Sequence, residues 1–379
     1  MGKKVTDYKN LHQQSFVADL HCDTVQQMYR GYDFGKRHDH YHIDLPRLKE
    51  GGVNLQIFAA FVEPALPPLK YFERADSFLK TIIEQTNQYN NLATLAKTID
   101  DIEQAQADDK IGIMLAVENG SAISNDLDKI DYFYDLGVRY MTLTHAKSHN
   151  WCSSSSDHHA KEYGLTIFGH EVIKRMNQLG MIVDVSHISV RAFFDVLNIT
   201  TKPVIASHSN VYELCQHDRN LSDNQLKAIA ENNGLVAVNF VSDFLSNQTM
   251  QENIDFTDNF PKEKFLFNQW FSSLKPEAEY QKDYDDLRPF IEEWQNHIQP
   301  YLPTVEKLVD HIDYIANLIG IDHIALGSDY DGMFYPVKDM PDCSYLPLLT
   351  KELLTRGYNN ESVKKILGAN FLRVFKAQT

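Results

Sequence analysis

The chain has little of what would place it in a specialised class. Its four cysteines, Cys22, Cys152, Cys215 and Cys343, lie far apart with no C-x-x-C pair. That spacing fits reduced thiols, and a chain of this size does not need disulfide staples. No stretch approaches the ~20 apolar residues that a spanning helix requires. The start, MGKKVTDYKNLHQQSF, has two lysines but no apolar leader core, so a cytoplasmic location is expected. Positive charge is scarce as well: 36 Lys and Arg against 52 Asp and Glu give −16. Such a balance repels phosphate backbones and anionic lipid, and neither nucleic acid nor a membrane surface is an expected partner. Low-complexity tracts, internal repeats and a linker between domains are missing too. With 43% apolar and 11% aromatic residues, the 379-residue chain can bury a large core as one barrel or as two ordinary domains.

Against this plain background one stretch stands out. Residues 181–209 read MIVDVSH, then SVRAFFDVLNITTK, then PVIASHS. This is a strand, an amphipathic helix and a strand, with His187 and His208 closing the two strands. The strands of such a unit are parallel, so both histidines emerge at one carboxyl edge of the sheet, where parallel α/β proteins build their sites. A single histidine ending a strand is more often a structural hydrogen-bonding group than a ligand. Two in register weaken that alternative.

The same pattern recurs along the chain. Residues 15–23, SFVADLHCD, form the first strand, in which alternation puts His21 and Asp23 on one face and Cys22, a packing residue, on the other. The tract holding His38, His40 and His42 has the composition of a metal-binding segment but reads better as a loop before a short helix. Residues 53–62 are the second strand, followed by a long helical region over about 69–107. Residues 111–118 are the third, ending in Glu118, either a ligand or a cap for the next helix. The fourth, 138–145, ends in His145 and is followed by a long serine-rich loop. The seventh, 235–241, precedes residues 242–303, which hold no clean strand but many aromatics. They read as a partly helical insertion at the active edge, serving as a lid or a dimer surface, or as ordinary core under a long crossover. After an amphipathic helix at 304–319, the eighth strand, 323–329, ends in Asp329, and two helical patterns finish the chain.

Eight strands with helical intervals predict a single (β/α)8 TIM-type barrel with an insertion after the seventh strand and extra C-terminal helices. His21, Asp23, Glu118, His145, His187, His208 and Asp329 would all converge at its mouth. Imidazoles and carboxylates together are the donors that zinc and its neighbours prefer. Three crowded carboxylates call for divalent compensation, and two ions about 3.5–4 Å apart would provide it.

Seven segments carry a specific resemblance: DLHCDT at 19–24, ENG at 118–120, TLTHAKSHN at 142–150, GLTIFG at 164–169, DVSHIS at 184–189, ASHSN at 206–210 and GSDYDG at 327–332. Together they resemble the membrane (renal) dipeptidase family, peptidase family M19 of the amidohydrolase superfamily. The first is discriminating, since this family has H-x-D on strand one where many amidohydrolases have H-x-H. The resemblance implies two zinc ions, one held by His21 and Asp23 and the other by His187 and His208, with Glu118 bridging. It implies that Asp329 manages the proton of the bridging hydroxide and passes it to the leaving amine, that His145 contacts the substrate carbonyl, and that Arg219 in HDRNLSD holds the substrate carboxylate. Read alone, Arg219 would be a surface charge. The implied reaction is hydrolysis of dipeptides, including those with a C-terminal D-residue, and a homodimer is a family expectation. Two alternatives stand beside it: a related binuclear amidohydrolase acting on N-acyl amino acids or lactones, and a metal-binding barrel without turnover. The charge of −16 disfavours a nuclease on the same fold.

Overall fold

The computed structural model describes residues 7–378 apart from 39, 65 and 160–162. Its strands are β1 (Ala18–Cys22), β2 (Leu55–Phe61), β3 (Ala93–Leu95), β4 (Ile111–Glu118), β5 (Val138–Thr142), β6 (Ile182–Asp184), β7 (Ile205–Ala206), β8 (Leu235–Val238) and β9 (Ile324–Leu326). Eight of them pair in parallel in the order β1, β2, β4, β5, β6, β7, β8, β9 and close back on β1. The expected (β/α)8 barrel is the fold.

The ninth strand, β3, corrects the reading of 69–107 as continuous helix. The helix Tyr71–Gln88 stops, β3 follows, and a second helix runs over Ile99–Ala107. The restart is set by a reciprocal cap in which the Thr98 hydroxyl accepts from the Asp101 amide while the Asp101 carboxylate accepts from the Thr98 amide. β3 pairs only with residues 111–113 of β4, and β5 takes over that edge from Leu115 onward. It is thus an appendage below the barrel rather than a ninth stave.

Most strands are shorter than read: β5 ends at Thr142 and β9 at Leu326, so His145 and Asp329 stand beyond them, and at two further strands the cause of the early end is visible. β6 ends at Asp184 and β7 at Ala206, so His187 and His208 stand just beyond them. The Asp184 carboxylate explains this, because it accepts from the amides of Ser186 and Ser207 and from the hydroxyls of Thr142 and Ser207, in place of ladder partners.

The barrel interior is filled by Leu20, Ile57, Met114, Tyr140 and Ile182, and is closed at its amino-terminal end by Phe371 and Phe375 of the last helix. Cys22 packs in the outer layer between strands and helices, and all four cysteines are free and buried. No described helix is long and apolar enough to cross a membrane.

The stretch after β8 folds as helices Ser242–Leu245, Asn247–Asp258, Pro261–Phe271 and Glu277–Ile298. Phe256, Phe267, Trp270, Phe290 and Trp294 form an aromatic core of its own. Phe267 and Trp294 also border the cavity that contains Glu118 and Asp329. The insertion is therefore both a small core and a wall of the barrel mouth.

Candidate metal centre and active site

Glu118, the last residue of β4, is the centre of the mouth. Its Oε1 lies 3.0 Å from His187 Nε2, 3.5 Å from His208 Nε2 and 3.9 Å from His145 Nε2. Its Oε2 lies 3.6 Å from His21 Nε2, which is 3.9 Å from Asp23 Oδ2. Three overlapping donor groups result: His21 with Glu118 and His208, Glu118 with His145 and His187, and His21 with Asp23 and Asp329.

Hydrogen bonds behind the rings decide which nitrogen each presents. Tyr140 Oη gives its one proton to the Leu20 carbonyl at 2.8 Å, so at its 2.8 Å contact with His21 it must accept from Nδ1–H. Ser207 Oγ donates to Asp184, so its 2.7 Å contact with His208 is likewise an acceptance from Nδ1–H. In its neutral form each of the two histidines presents a bare Nε2 to the cavity, the arrangement found behind metal-bound imidazoles. The Nε2 atoms of His187 and His208 are 2.8 Å apart.

The loops beyond the strands hold this geometry through unusual backbone. His187 has φ 69° and Asp329 φ 63°, a left-handed region that non-glycine residues visit at a cost. Gly332 is demanded by space: a Cβ there would lie 2.2 Å from Asp23 Oδ2 and 2.5 Å from Asp329 Oδ1. Asp19 ties β1 to the loop after β9, accepting from the Ser328 amide and hydroxyl.

Charge is finely divided at this mouth. Burial would lower the His21 pKa, but Glu118, Asp23 and Asp329 push it up to about 10. Burial and the neighbouring carboxylates hold Asp23 well above the carboxylate range. Asp329, whose Oδ2 accepts from Asn239 Nδ2 at 2.8 Å, is pushed up to about 6 mainly by burial. His145 is pushed down to about 4 by burial, with Arg219 and His21 adding to the effect and Glu118 opposing it. It is therefore neutral at pH 7. His21 Nε2 and Asp23 Oδ1 are buried without a hydrogen-bond partner, and three carboxylates crowd together. A divalent cation satisfies both conditions, so the donor set fits a metal centre of the nitrogen and oxygen type.

All eight residues singled out in the sequence meet at this mouth. Arg219 departs from its isolated reading as a surface charge: it is buried, donates from Nη2 to the His208 carbonyl at 3.0 Å, and lines the cavity. His38 and His42 serve the fold instead. His38 meets the Asp33 carbonyl at 3.0 Å, and His42 exchanges bonds with Asp331; none of the histidines at 38, 40 and 42 joins a donor group among the described residues. Tyr140, Asp184, Ser207 and Asn239 were not singled out. Asp184 and Asn239 left a signal, each being a polar residue inside or directly after an apolar run.

The model of the family described as membrane dipeptidase (peptidase family M19) matches residues 5–379. The uncharacterized dipeptidase C965.12 of Schizosaccharomyces pombe is 31% identical, the match covering 88% of this chain and 72% of that protein. Dipeptidase tcpJ of Claviceps purpurea is 28% identical, with 94% and 76% covered. Among solved structures, the probable dipeptidase PvdM from Pseudomonas aeruginosa superposes with a TM-score of 0.82 at 23% identity, over 99% of this chain and 98% of that one. A metallo peptidase from Rhodobacter sphaeroides, liganded with a phosphinate mimic of the dipeptide L-Ala-D-Ala, gives 0.74 at 22% identity, over 97% and 100%.

Proposed function

The chain belongs to the membrane dipeptidase family, peptidase family M19, and from that premise we propose a zinc-dependent hydrolase that cleaves the single amide of dipeptides, including those ending in a D-residue. The observation that carries the metal reading is the pair of bare imidazole nitrogens, on His21 and His208, turned toward Glu118 by Tyr140 and Ser207. In this reading His21 and Asp23 would hold one ion and His187 and His208 the other, with Glu118 available to both. Ions bound there would polarise the amide carbonyl and make a water acidic enough to attack near neutral pH.

The remaining roles belong to the side chains. Asp329, with a pKa near 6, is ionised at pH 7 yet basic enough to take a proton from the attacking water and return it to the leaving amine. Asn239 holds one of its oxygens, which keeps the other free to face the cavity. Neutral His145 donates a hydrogen bond to the carbonyl oxygen as charge develops on it. Arg219 has one Nη tied to the His208 carbonyl and a buried Nε without a partner, which leaves donors to pair with the substrate's terminal carboxylate. That pairing would place the scissile amide beside the terminal residue and exclude internal peptide bonds. The D-residue reading draws on the L-Ala-D-Ala mimic held by the Rhodobacter sphaeroides relative.

Elemental analysis of the purified protein, with hydrolysis of L-Ala-L-Ala and L-Ala-D-Ala before and after chelation, tests the proposal. Expected are about two zinc ions per chain, cleavage of both peptides, and loss of activity on chelation that zinc restores. A metal-replete protein that cleaves neither peptide would move the assignment to N-acyl amino acids or lactones.

A further inference from the structure

The barrel mouth continues into a cavity of about 450 Å³ whose far wall comes from the insertion. That wall carries a carboxylate, Asp243, in the short helix Ser242–Leu245. Asp243 Oδ2 accepts from Asn253 Nδ2 at 2.6 Å, and Asn253 Oδ1 accepts in turn from Trp294 Nε1. No cation pairs with it among the described residues, although it is half-buried and burial pushes its pKa up to about 6. The chain thus keeps an acid in an aromatic setting with only a neutral amide as partner, an arrangement that costs stability unless something compensates it. Phe244, Phe267 and Trp294 border the same space, and aromatic faces attract a cation as the carboxylate does.

The other charges of the cavity already have partners under the dipeptidase reading. Asp23, Glu118 and Asp329 face the metal and reacting atoms, and Arg219 faces the terminal carboxylate. Among the described residues that line the cavity, Asp243 is the one acid left over. We infer that Asp243, braced by Asn253 and Trp294, is a specificity-determining residue that selects dipeptides bearing a cationic side chain, of the lysine or arginine kind. This inference rests on the dipeptidase reading. The overall charge of −16 favours approach of the same class of substrate.

The test compares Lys with norleucine, its uncharged analogue of similar length, at each position of a dipeptide whose other residue is Ala, with Ala-Ala as the reference. In the zinc-loaded wild type, kcat/KM for Lys exceeds that for norleucine by about tenfold at one position, equivalent to about 1.4 kcal/mol. In Asp243→Asn the ratio falls below about twofold, and Asp243→Glu restores part of it. Equal rates for Lys and norleucine at both positions in a wild type that cleaves Ala-Ala would overturn the inference and leave the dipeptidase reading intact. So would a preference unchanged in Asp243→Asn. A zinc-loaded enzyme that cleaves no member of the panel would overturn both. The wild-type ratio decides the matter even if the Asn variant fails to fold.

Discussion

The two halves of the cavity are built on opposite principles. At the barrel mouth three of the groups are aimed by a second residue: Tyr140 behind His21, Ser207 and Asp184 behind His208, Asn239 behind Asp329. Across from it, the insertion presents aromatic rings packed on one another, with Trp270, Phe290 and Trp294 forming its centre. Hydrogen bonds have direction, and reaction chemistry needs groups held to fractions of an ångström. Stacked rings are more forgiving and give shape and polarity to a pocket without fixing one orientation. Under the proposed function the contrast assigns bond breaking to the barrel and choice of side chain to the insertion.

That division can be broken at several points. The largest effect is expected from Glu118→Gln, which removes the charge shared by all the imidazoles. Metal content, read by elemental analysis, should collapse, and activity should fall by more than the ~10–100-fold that outer partners cost. Tyr140→Phe is the sharper test, since it touches no donor atom directed at the cavity. It frees His21 Nδ1–H of its acceptor, and metal affinity measured by competition with a chelator should drop by about 10–100-fold. An unchanged affinity would mean that the tautomer of His21 is fixed by something other than the phenol.

Acid probes the joint between the two halves. His311, fully buried on the helix Val305–Ile319, accepts from the Val211 amide through Nδ1 and donates to the Leu245 carbonyl through Nε2. Val211 follows the His208 loop and Leu245 opens the insertion. Burial pushes this histidine down to about 4, with its bond to Leu245 opposing the shift. The unfolded chain therefore binds the proton first, and stability present above pH 6.5 is lost as pH falls toward 4. By pH 5 the loss from this group is about 2 kcal/mol, measurable as a lower urea midpoint than at pH 7. A midpoint that holds steady from pH 7 to 5 would remove His311 as the joint. The smallest effect is expected in the insertion: Phe267→Leu should change KM for dipeptides about threefold while metal content stays at its wild-type value. If metal content falls with it, the two halves are not separable.

How far this was legible in the sequence follows the same line. Strand ends carrying His, Asp and Glu were visible because alternation and apolar runs mark a strand, and a polar residue closing one is conspicuous. All the donors at the mouth were found in this way. β3 was hidden because Ala93–Leu95 is three residues long and lies between two helices whose apolar spacing is nearly continuous. Tyr140 was hidden for a different reason: in VRYMT it looks like any aromatic core residue, and its use of the hydroxyl depends on strands distant in sequence. Arg219 had no local signal either, and only the family resemblance lifted it above a surface charge. Asp243 fell in a segment with neither strand pattern nor motif. Residues that act directly at a strand end declare themselves, whereas residues that act through another depend on contacts made only in the fold.

The bond from Tyr140 to the Leu20 carbonyl reaches from β5 to β1, three staves apart around the barrel. Which nitrogen of His21 is basic is consequently a property of the barrel's cross-section rather than of the site. Interior repacking around Ile57, Met114 and Ile182 that shifted β5 against β1 would exchange the two nitrogens while leaving every donor residue in place. Neutral drift in this interior is therefore restrained by acid–base chemistry as well as by volume. In a library of repacked interiors, metal binding would be lost well before the fold.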